Sequence, residues 1–255
     1  MNQRQAGLDP FRTHYIAHRG LFDNARDYPE NTLAAFRRAV DAGFGIELDV
    51  YLTSDEQVVV VHDGELQRLC GENVNVTEMM LKELQRRRIL GSSQTIPLLS
   101  DVLDVIGGRV PLIVEYKTVP HPSRVCELTN QLLSDYDGQY CIESFDPRVL
   151  LWYRLHRPDV IRGQLSGTFA GDDTTGNPLA DWALRNMVFN ALTWPDFIAF
   201  EVQGAALFPL HFWHRVLRNT LVAWTIKTPE QLELSKHLFD VAIFDSFTPD
   251  GTGPQ

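Results

Sequence analysis

Short apolar runs, many of them β-branched or aromatic, recur along the chain between stretches whose apolar positions repeat with helical spacing. The runs predict nine strands: His14–His18, Gly45–Tyr51, Val58–His62, Pro111–Tyr116, Gln139–Ser144, Val160–Leu165, Asp196–Val202, Leu221–Ile226 and Val241–Asp245. One predicted helix is capped by Asn31 or Thr32, runs through LAAFRRAVDA and stops at Gly43. Others cover Glu78–Arg87, Leu99–Ile106, Ser123–Leu133, Pro147–Leu155 and Pro229–Leu238. Strands alternating with helices imply parallel pairing, and a parallel crossover takes a dozen or more residues. The link Thr53–Gln57 is too short for one. The runs on either side must therefore pair antiparallel, and a turn centred between Asp55 and Glu56 sets Asp49 opposite His62. Removing this extra hairpin strand, near residues 58–62, leaves eight parallel strands, the number that closes a (β/α)8 TIM barrel. An open doubly wound sheet would call for a glycine-rich phosphate loop, and neither GxGxxG nor GxxxxGK[ST] occurs. No repeat or low-complexity linker divides the chain, so residues 1–255 are read as a single barrel domain.

In such a barrel the chemistry collects where the strands end, and there the sequence turns polar. The first strand ends in His18-Arg19-Gly20, the second carries Glu47 and Asp49, and the hairpin return ends in His62-Asp63. Glu115 and Lys117 follow, then Glu143, Ser144 and Asp146, then Gln164, Glu201, Trp224 and Asp245. Glu47 and Asp49 are two apart, so both point to one side of the strand while Ile46, Leu48 and Val50 point to the other. Carboxylates turned into a barrel repel one another and lose their hydration, which demands a neutralising partner. Glu115 and Lys117 repeat the arrangement. Three converging acids with two histidines nearby predict an oxygen-ligand site for a hard cation, Mg²⁺ or Ca²⁺. No cysteine or close histidine pair offers the ligand spacing of zinc. Singly, each residue has a structural reading: an exposed strand edge, an ion pair, a hydrogen-bonded histidine. Their shared position at the strand ends is what those readings leave unexplained. Glu30 and Asn31 read as caps of the first helix that also hold the loop after His18-Arg19-Gly20 in place, Gly20 as the residue that permits a sharp turn, and Trp224 as an apolar wall or as barrel packing.

Composition narrows the partners. Hydrophobic residues make up 44% and charged residues 22%, an ordinary globular balance. The net charge of −10 repels nucleic-acid backbones and anionic bilayers, and so argues against both as partners. A small phosphorylated substrate remains compatible, because local cations or a metal dominate a site. No run approaches the apolar length of a membrane span, and the first twenty residues lack the apolar core of a secretory signal. Cys70, Cys126 and Cys141 have no CxxC spacing. Reduced thiols and a cytoplasmic location are the expectation.

IAHRG at residues 16–20, PENTLAAF at 29–36, GIELDV at 45–50, VVVHD at 59–63 and EYK at 115–117 together resemble the glycerophosphodiester phosphodiesterase family in order and spacing. The resemblance is strong over residues 14–120 and thinner beyond, where WTI at 224–226 and Asp245 look like the family's C-terminal end. It implies a TIM barrel with metal ligands at Glu47, Asp49 and Glu115. It further implies an acid–base pair of His18 (base) and His62 (acid), with phosphate contacts from Arg19 and Lys117. The implied reaction is metal-dependent hydrolysis of small-molecule glycerophosphodiesters to an alcohol and sn-glycerol 3-phosphate, within lipid and glycerol metabolism. Two readings compete with it: a lysophospholipase-D-like action on acylated diesters, and a non-catalytic barrel that binds phosphodiesters or metal. The first needs an apolar groove, expected from segment 189–213. The chain departs from the family at GELQRLCGENVNV after His62-Asp63, and at Lys227, where asparagine is usual. The long connection 166–196, loop then helix, reads as a lid, an oligomer contact or plain packing.

Overall fold

Each predicted apolar run becomes a strand in the computed structural model, which describes residues 3–169 and 176–254. The strands are β1 (Ile16–Ala17), β2 (Gly45–Leu52), β3 (Val58–Val60), β4 (Leu112–Tyr116), β5 (Tyr140–Ser144), β6 (Arg162–Ser166), β7 (Phe197–Glu201), β8 (Thr220–Ile226) and β9 (Val241–Phe244). Eight pair in parallel and close on themselves in the order β1, β2, β4, β5, β6, β7, β8, β9 and back to β1. β1 meets only Gly45 and Ile46 of β2, which leaves the far end of that edge free for β3 to pair antiparallel.

The hairpin register differs by one residue from the sequence reading. Val50 pairs with Val60, and the Val61 amide donates to the Asp49 carbonyl at 3.0 Å, so Asp49 faces Val61 rather than His62. The cause is the turn. Glu56 N–H donates to Thr53 O and Thr53 N–H to Gln57 O, and Glu56 takes the left-handed conformation (φ 58°). That is a three-residue loop closed by an i to i+3 hydrogen bond, where the sequence reading assumed two residues.

Alternation along the strands sorts two apolar layers. Ile46, Leu48 and Val50, with Leu112 and Val114, pack outward on Phe36, Leu99 and Val102 of the surrounding helices. Ile113, Cys141, Leu165 and Phe197 fill the barrel, joined by Leu8 and Phe11 from the N-terminal turns before β1. The first crossover helix, Leu33–Ala42, is capped by Thr32, whose hydroxyl accepts from the Ala35 amide, and it ends at Gly43 with φ 76°. Asn31 is not the cap. The helix expected over Glu78–Arg87 is only a 3₁₀ turn, Val76–Glu78, and one four-residue turn, Leu81–Leu84, because Met79 and Met80 are extended between them. Val76, Met79 and Leu84 are pinned there in a third apolar cluster with Val59, Val61 and Ile96, and tertiary packing overrides the local helical spacing. In the 166–196 connection, helices Pro178–Arg185 and Asn190–Thr193 form, while its residues 170–175 lie outside the described residues. No helix among the described residues is long and apolar enough to cross a membrane.

Candidate active site at the strand ends

β2 turns Glu47 and Asp49 into the barrel mouth, and register places Glu115 of β4 level with Asp49, and Glu143 of β5 level with Glu115. Oxygens of Glu47, Asp49 and Glu115 lie within 4.8 Å of one another, and all three residues are buried. Two cations reach them. Lys117 Nζ is 2.6 Å from Asp49 Oδ1 and 2.7 Å from Glu115 Oε1, while Arg19 Nε is 3.6 Å from Asp49 Oδ2. The Arg19 backbone amide donates to Glu47 Oε2 at 3.0 Å, and Asn31 Nδ2 donates to Asp49 Oδ2 at 2.7 Å. Burial opposes charge on all four acids, but the outcomes diverge. Against that burial, Lys117, His62 and Arg19 hold the Asp49 carboxyl far below its usual range. Burial and the neighbouring carboxylates push Glu47 and Glu143 well up, and Glu115 is raised as well. Glu47 Oε1 and Glu143 Oε2 are buried and accept no hydrogen bond. Donor-free carboxylate oxygens beside a converging trio fit a hard divalent cation.

Two histidines neighbour this cluster, each backed by an aspartate. His18, just beyond β1, has Nδ1 3.0 Å from Asp245 Oδ2 and Nε2 3.9 Å from Glu47 Oε2. Donation from Nδ1 to Asp245 leaves Nε2 as the proton-exchanging nitrogen on the cluster side. Burial lowers the His18 pKa, with Asp245 pulling the other way. His62 Nδ1 is 2.6 Å from Asp63 Oδ1, and Asp63 Oδ2 accepts from Arg68 Nε at 2.7 Å. Arg68 also forks onto Glu30 at 2.8 and 2.7 Å, and Glu30 accepts from Arg19 Nη1 at 2.7 Å. The departing loop GELQRLCGENVNV thus supplies the cation that braces both histidine-bearing loops. Gly20 (φ 81°) makes the turn after Arg19, where a Cβ would lie 3.0 Å from the Ala35 backbone and the Phe36 ring.

All seven sequence candidates, His18, Arg19, Glu47, Asp49, His62, Glu115 and Lys117, meet at this mouth. Sequence reasoning missed the roles of Asp63, Arg68 and Asp245, and it read those of Glu30 and Asn31 only in part. Glu30 and Asn31 do not cap the helix but do hold the loop after His18: Glu30 ties Arg19 to Arg68, and Asn31, at φ 55°, donates its N–H to Arg19 O at 3.0 Å and reaches Asp49. Asn tolerates the left-handed region, so an Asn directly before a competent Thr cap was the available signal. Ser144 and Gln164 turn away, with Ser144 Oγ donating to Tyr116 O and Gln164 Nε2 to Ser144 O. Asp146 caps the helix Pro147–His156.

Two cavities flank the cluster. One, about 400 Å³, lies on the His18 side and is lined by Asp23, Asn24, Arg38, Asp245 and Ser246. The other, about 430 Å³, is walled by His62, Phe145, Phe169, Leu184, Glu201 and Trp224. Phe145 sits edge-on to Trp224 at 5.6 Å and to Phe169 at 6.0 Å. Trp224 is thus a cavity wall. Of segment 189–213, expected to line an apolar groove here, only Glu201 reaches this cavity; its apolar walls come from β5, β8 and the 166–196 connection.

A sequence profile of the Glycerophosphoryl diester phosphodiesterase family matches residues 18–192. A rat protein named lysophospholipase D is 38% identical over 143 residues, 51% of this chain and 44% of its own length. A glycerophosphodiester phosphodiesterase of Caldanaerobacter subterraneus subsp. tengcongensis is 37% identical over 117 residues, 42% of this chain and 46% of its own length. The match spans about half the length of these curated relatives. Among solved structures, an Oleispira antarctica phosphodiesterase in complex with the product sn-glycerol-3-phosphate superposes with a TM-score of 0.75 at 21% identity, covering 91% of this chain and 93% of that one. The Thermotoga maritima glycerophosphodiester phosphodiesterase gives 0.69 at 24%, covering 92% and 95%. At these identities the likeness is one of fold.

Proposed function

The chain belongs to the glycerophosphoryl diester phosphodiesterase family, and on that premise we propose that it hydrolyses glycerophosphodiesters to an alcohol and sn-glycerol 3-phosphate. The observation that carries the reading is the buried carboxylate trio with two aspartate-backed histidines beside it. Glu47, Asp49 and Glu115 would hold Mg²⁺ or Ca²⁺, which when bound polarises the phosphoryl group and offsets its developing charge. Arg19 and Lys117 contact the phosphate and stabilise the same charge in a site already organised for it. His18 Nε2 takes the proton of the attacking hydroxyl, with Asp245 stabilising the imidazolium that forms. His62 Nε2 delivers a proton to the leaving alcohol. Each transfer contributes about 10²–10⁴-fold. The free thiols of Cys70, Cys126 and Cys141 suit a cytoplasmic setting, and residues 1–255 are assigned as one catalytic barrel.

The test is release of sn-glycerol 3-phosphate from glycerophosphocholine or glycerophosphoethanolamine by purified protein supplied with Mg²⁺ or Ca²⁺. No release with either metal sinks the proposal. The apolar cavity beside His62 favours a second reading, a diester that carries an acyl chain, in keeping with the name of the rat relative. Comparing turnover of lysophosphatidylcholine and glycerophosphocholine decides between them. A barrel that only binds would show no rate for His18→Ala or His62→Ala to remove.

A further inference from the structure

Fourteen large apolar side chains are exposed among the described residues, and ten of them fall between residues 179 and 217. They decorate the two crossovers on either side of β7: helices Pro178–Arg185 and Asn190–Thr193 before it, and helix Phe208–Arg215 after it. Leu179 is 73% exposed, Trp182 58% and Phe208 78%. Trp194 packs edge-on against Trp213 at 6.5 Å, and Trp213 against Phe212 at the same distance, so the two crossovers present one surface. A groove of about 600 Å³ opens between them, lined by Phe169, Pro178, Trp182, Arg185 and Leu207. Phe169 also walls the cavity beside His62, and Leu184 reaches that cavity from the same helix that exposes Trp182. Apolar surface therefore leads from the outer face, through the groove, to the candidate active site.

Charge sets this face apart. Charged residues are sparse here: between residues 179 and 217 only five of 39 positions carry one, Asp181, Asp196 and Glu201 against Arg185 and Arg215, where the whole chain has 22%. Asp196 is engaged by Arg4 and Glu201 by Thr168. A broad, aromatic and nearly uncharged surface matches the interfacial layer of a bilayer, where Trp and Phe bury their rings. Two copies of the chain, each at −10, would approach one another against their mutual repulsion, and an anionic bilayer would repel the protein in the same way. We propose that the face formed by residues 179–217 docks on a zwitterionic lipid bilayer and passes an acyl-bearing glycerophosphodiester through the groove to His62. This rests on the phosphodiesterase reading of the site and names the acylated substrate class for it.

The experiment is sedimentation with phosphatidylcholine vesicles, compared with vesicles rich in phosphatidylserine. The wild type should pellet with the first, with a blue shift of tryptophan fluorescence, and less with the second. The double variant Phe208→Glu/Phe212→Glu should remain in the supernatant and hydrolyse lysophosphatidylcholine in vesicles about tenfold more slowly, since burial of large aromatic surface is what it loses. Its rate on water-soluble glycerophosphocholine should equal the wild-type rate, which also shows that it folds. Wild-type protein that stays in the supernatant, or a variant that pellets equally, overturns the docking. So does a wild-type dimer in light scattering that the double variant turns into a monomer, because the face then belongs to a second copy. Vesicle binding with no turnover of any diester would leave the docking standing and remove the phosphodiesterase reading instead.

Discussion

Replacing Glu30 by Gln tests the brace that joins the two histidine-bearing loops. Glu30 is 3% exposed and accepts from Arg19, Arg68 and Asn24. Burial alone would raise its carboxyl; the hydrogen bonds from Arg68, the charge of Arg19 and the Asn24 amide overcome it and hold the pKa at about 2, against 4.5 ordinarily. The gap corresponds to about 3 kcal/mol of stability at pH 7. The sign follows from the depressed value. The folded carboxyl releases its proton more readily than the unfolded one, so the contribution is complete above about 4.5 and vanishes as pH falls through about 2. Glu30→Gln should therefore cost about 3 kcal/mol in urea unfolding at pH 7, in line with breaking a buried ion pair. Near pH 3 the difference between the two proteins should shrink by about half. A difference below about 0.5 kcal/mol at pH 7, or one independent of pH, would show that Arg19 and Arg68 find other partners and that Glu30 does not brace the loops.

Further outcomes follow from the same geometry. His18→Ala and His62→Ala should each lower kcat about 10²–10⁴-fold while equilibrium dialysis shows divalent cation still bound; loss of the metal instead would contradict their assignment as proton carriers. Asp245→Asn should lower kcat by about 10²-fold with little change in KM, because an amide N–H facing Nδ1 selects the wrong tautomer of His18. In chelator, wild-type stability should decline as pH rises above 4.5, since a carboxyl raised in the folded state favours folding only while protonated. Glu47→Gln should flatten that slope and raise the melting temperature by about 2–4 °C per kcal/mol relieved, while abolishing metal-dependent turnover. Adding Mg²⁺ to metal-free protein near neutral pH should release protons, measured with an indicator dye; no release would mean that Glu47 and Glu143 are already ionised.

Much of the architecture was legible because strand alternation and loop length are strict constraints. Five residues cannot make a parallel crossover, so Thr53–Gln57 forced the hairpin and left eight strands for the barrel. Period-two alternation likewise put Glu47, Asp49 and Glu115 on one side before any coordinates. What stayed hidden depends on backbone detail or on contacts distant in sequence. The register slipped by one because Glu56 is left-handed without being glycine, which nothing in Ser54-Asp55-Glu56 announces. Arg68 lies 38 residues from Glu30, in a loop whose course is set by the cluster around Leu66, Leu69 and Val76. Ser144 and Gln164 were grouped with the polar strand ends, yet alternation already separated Ser144 from Glu143.

The charge balance at the barrel mouth is the strongest reason to regard these residues as something other than a stabilising network. Four buried carboxyls, Glu47, Asp49, Glu115 and Glu143, face two fixed cations, Lys117 and Arg19, besides the titratable His18 and His62, and Arg19 is shared with Glu30. With both histidines neutral the mouth is therefore two positive charges short when every acid is ionised. Protons on Glu47 and Glu143, the two carboxyls pushed furthest up, close that deficit. So does one divalent cation. Apolar residues of similar volume at these positions would extend the Ile113, Cys141 and Leu165 packing below them and need no counter-charge. A barrel interior that turns from Ile113, Cys141 and Leu165 to four carboxyls at the mouth concentrates its unfavourable electrostatics where a cation and a phosphate would relieve them.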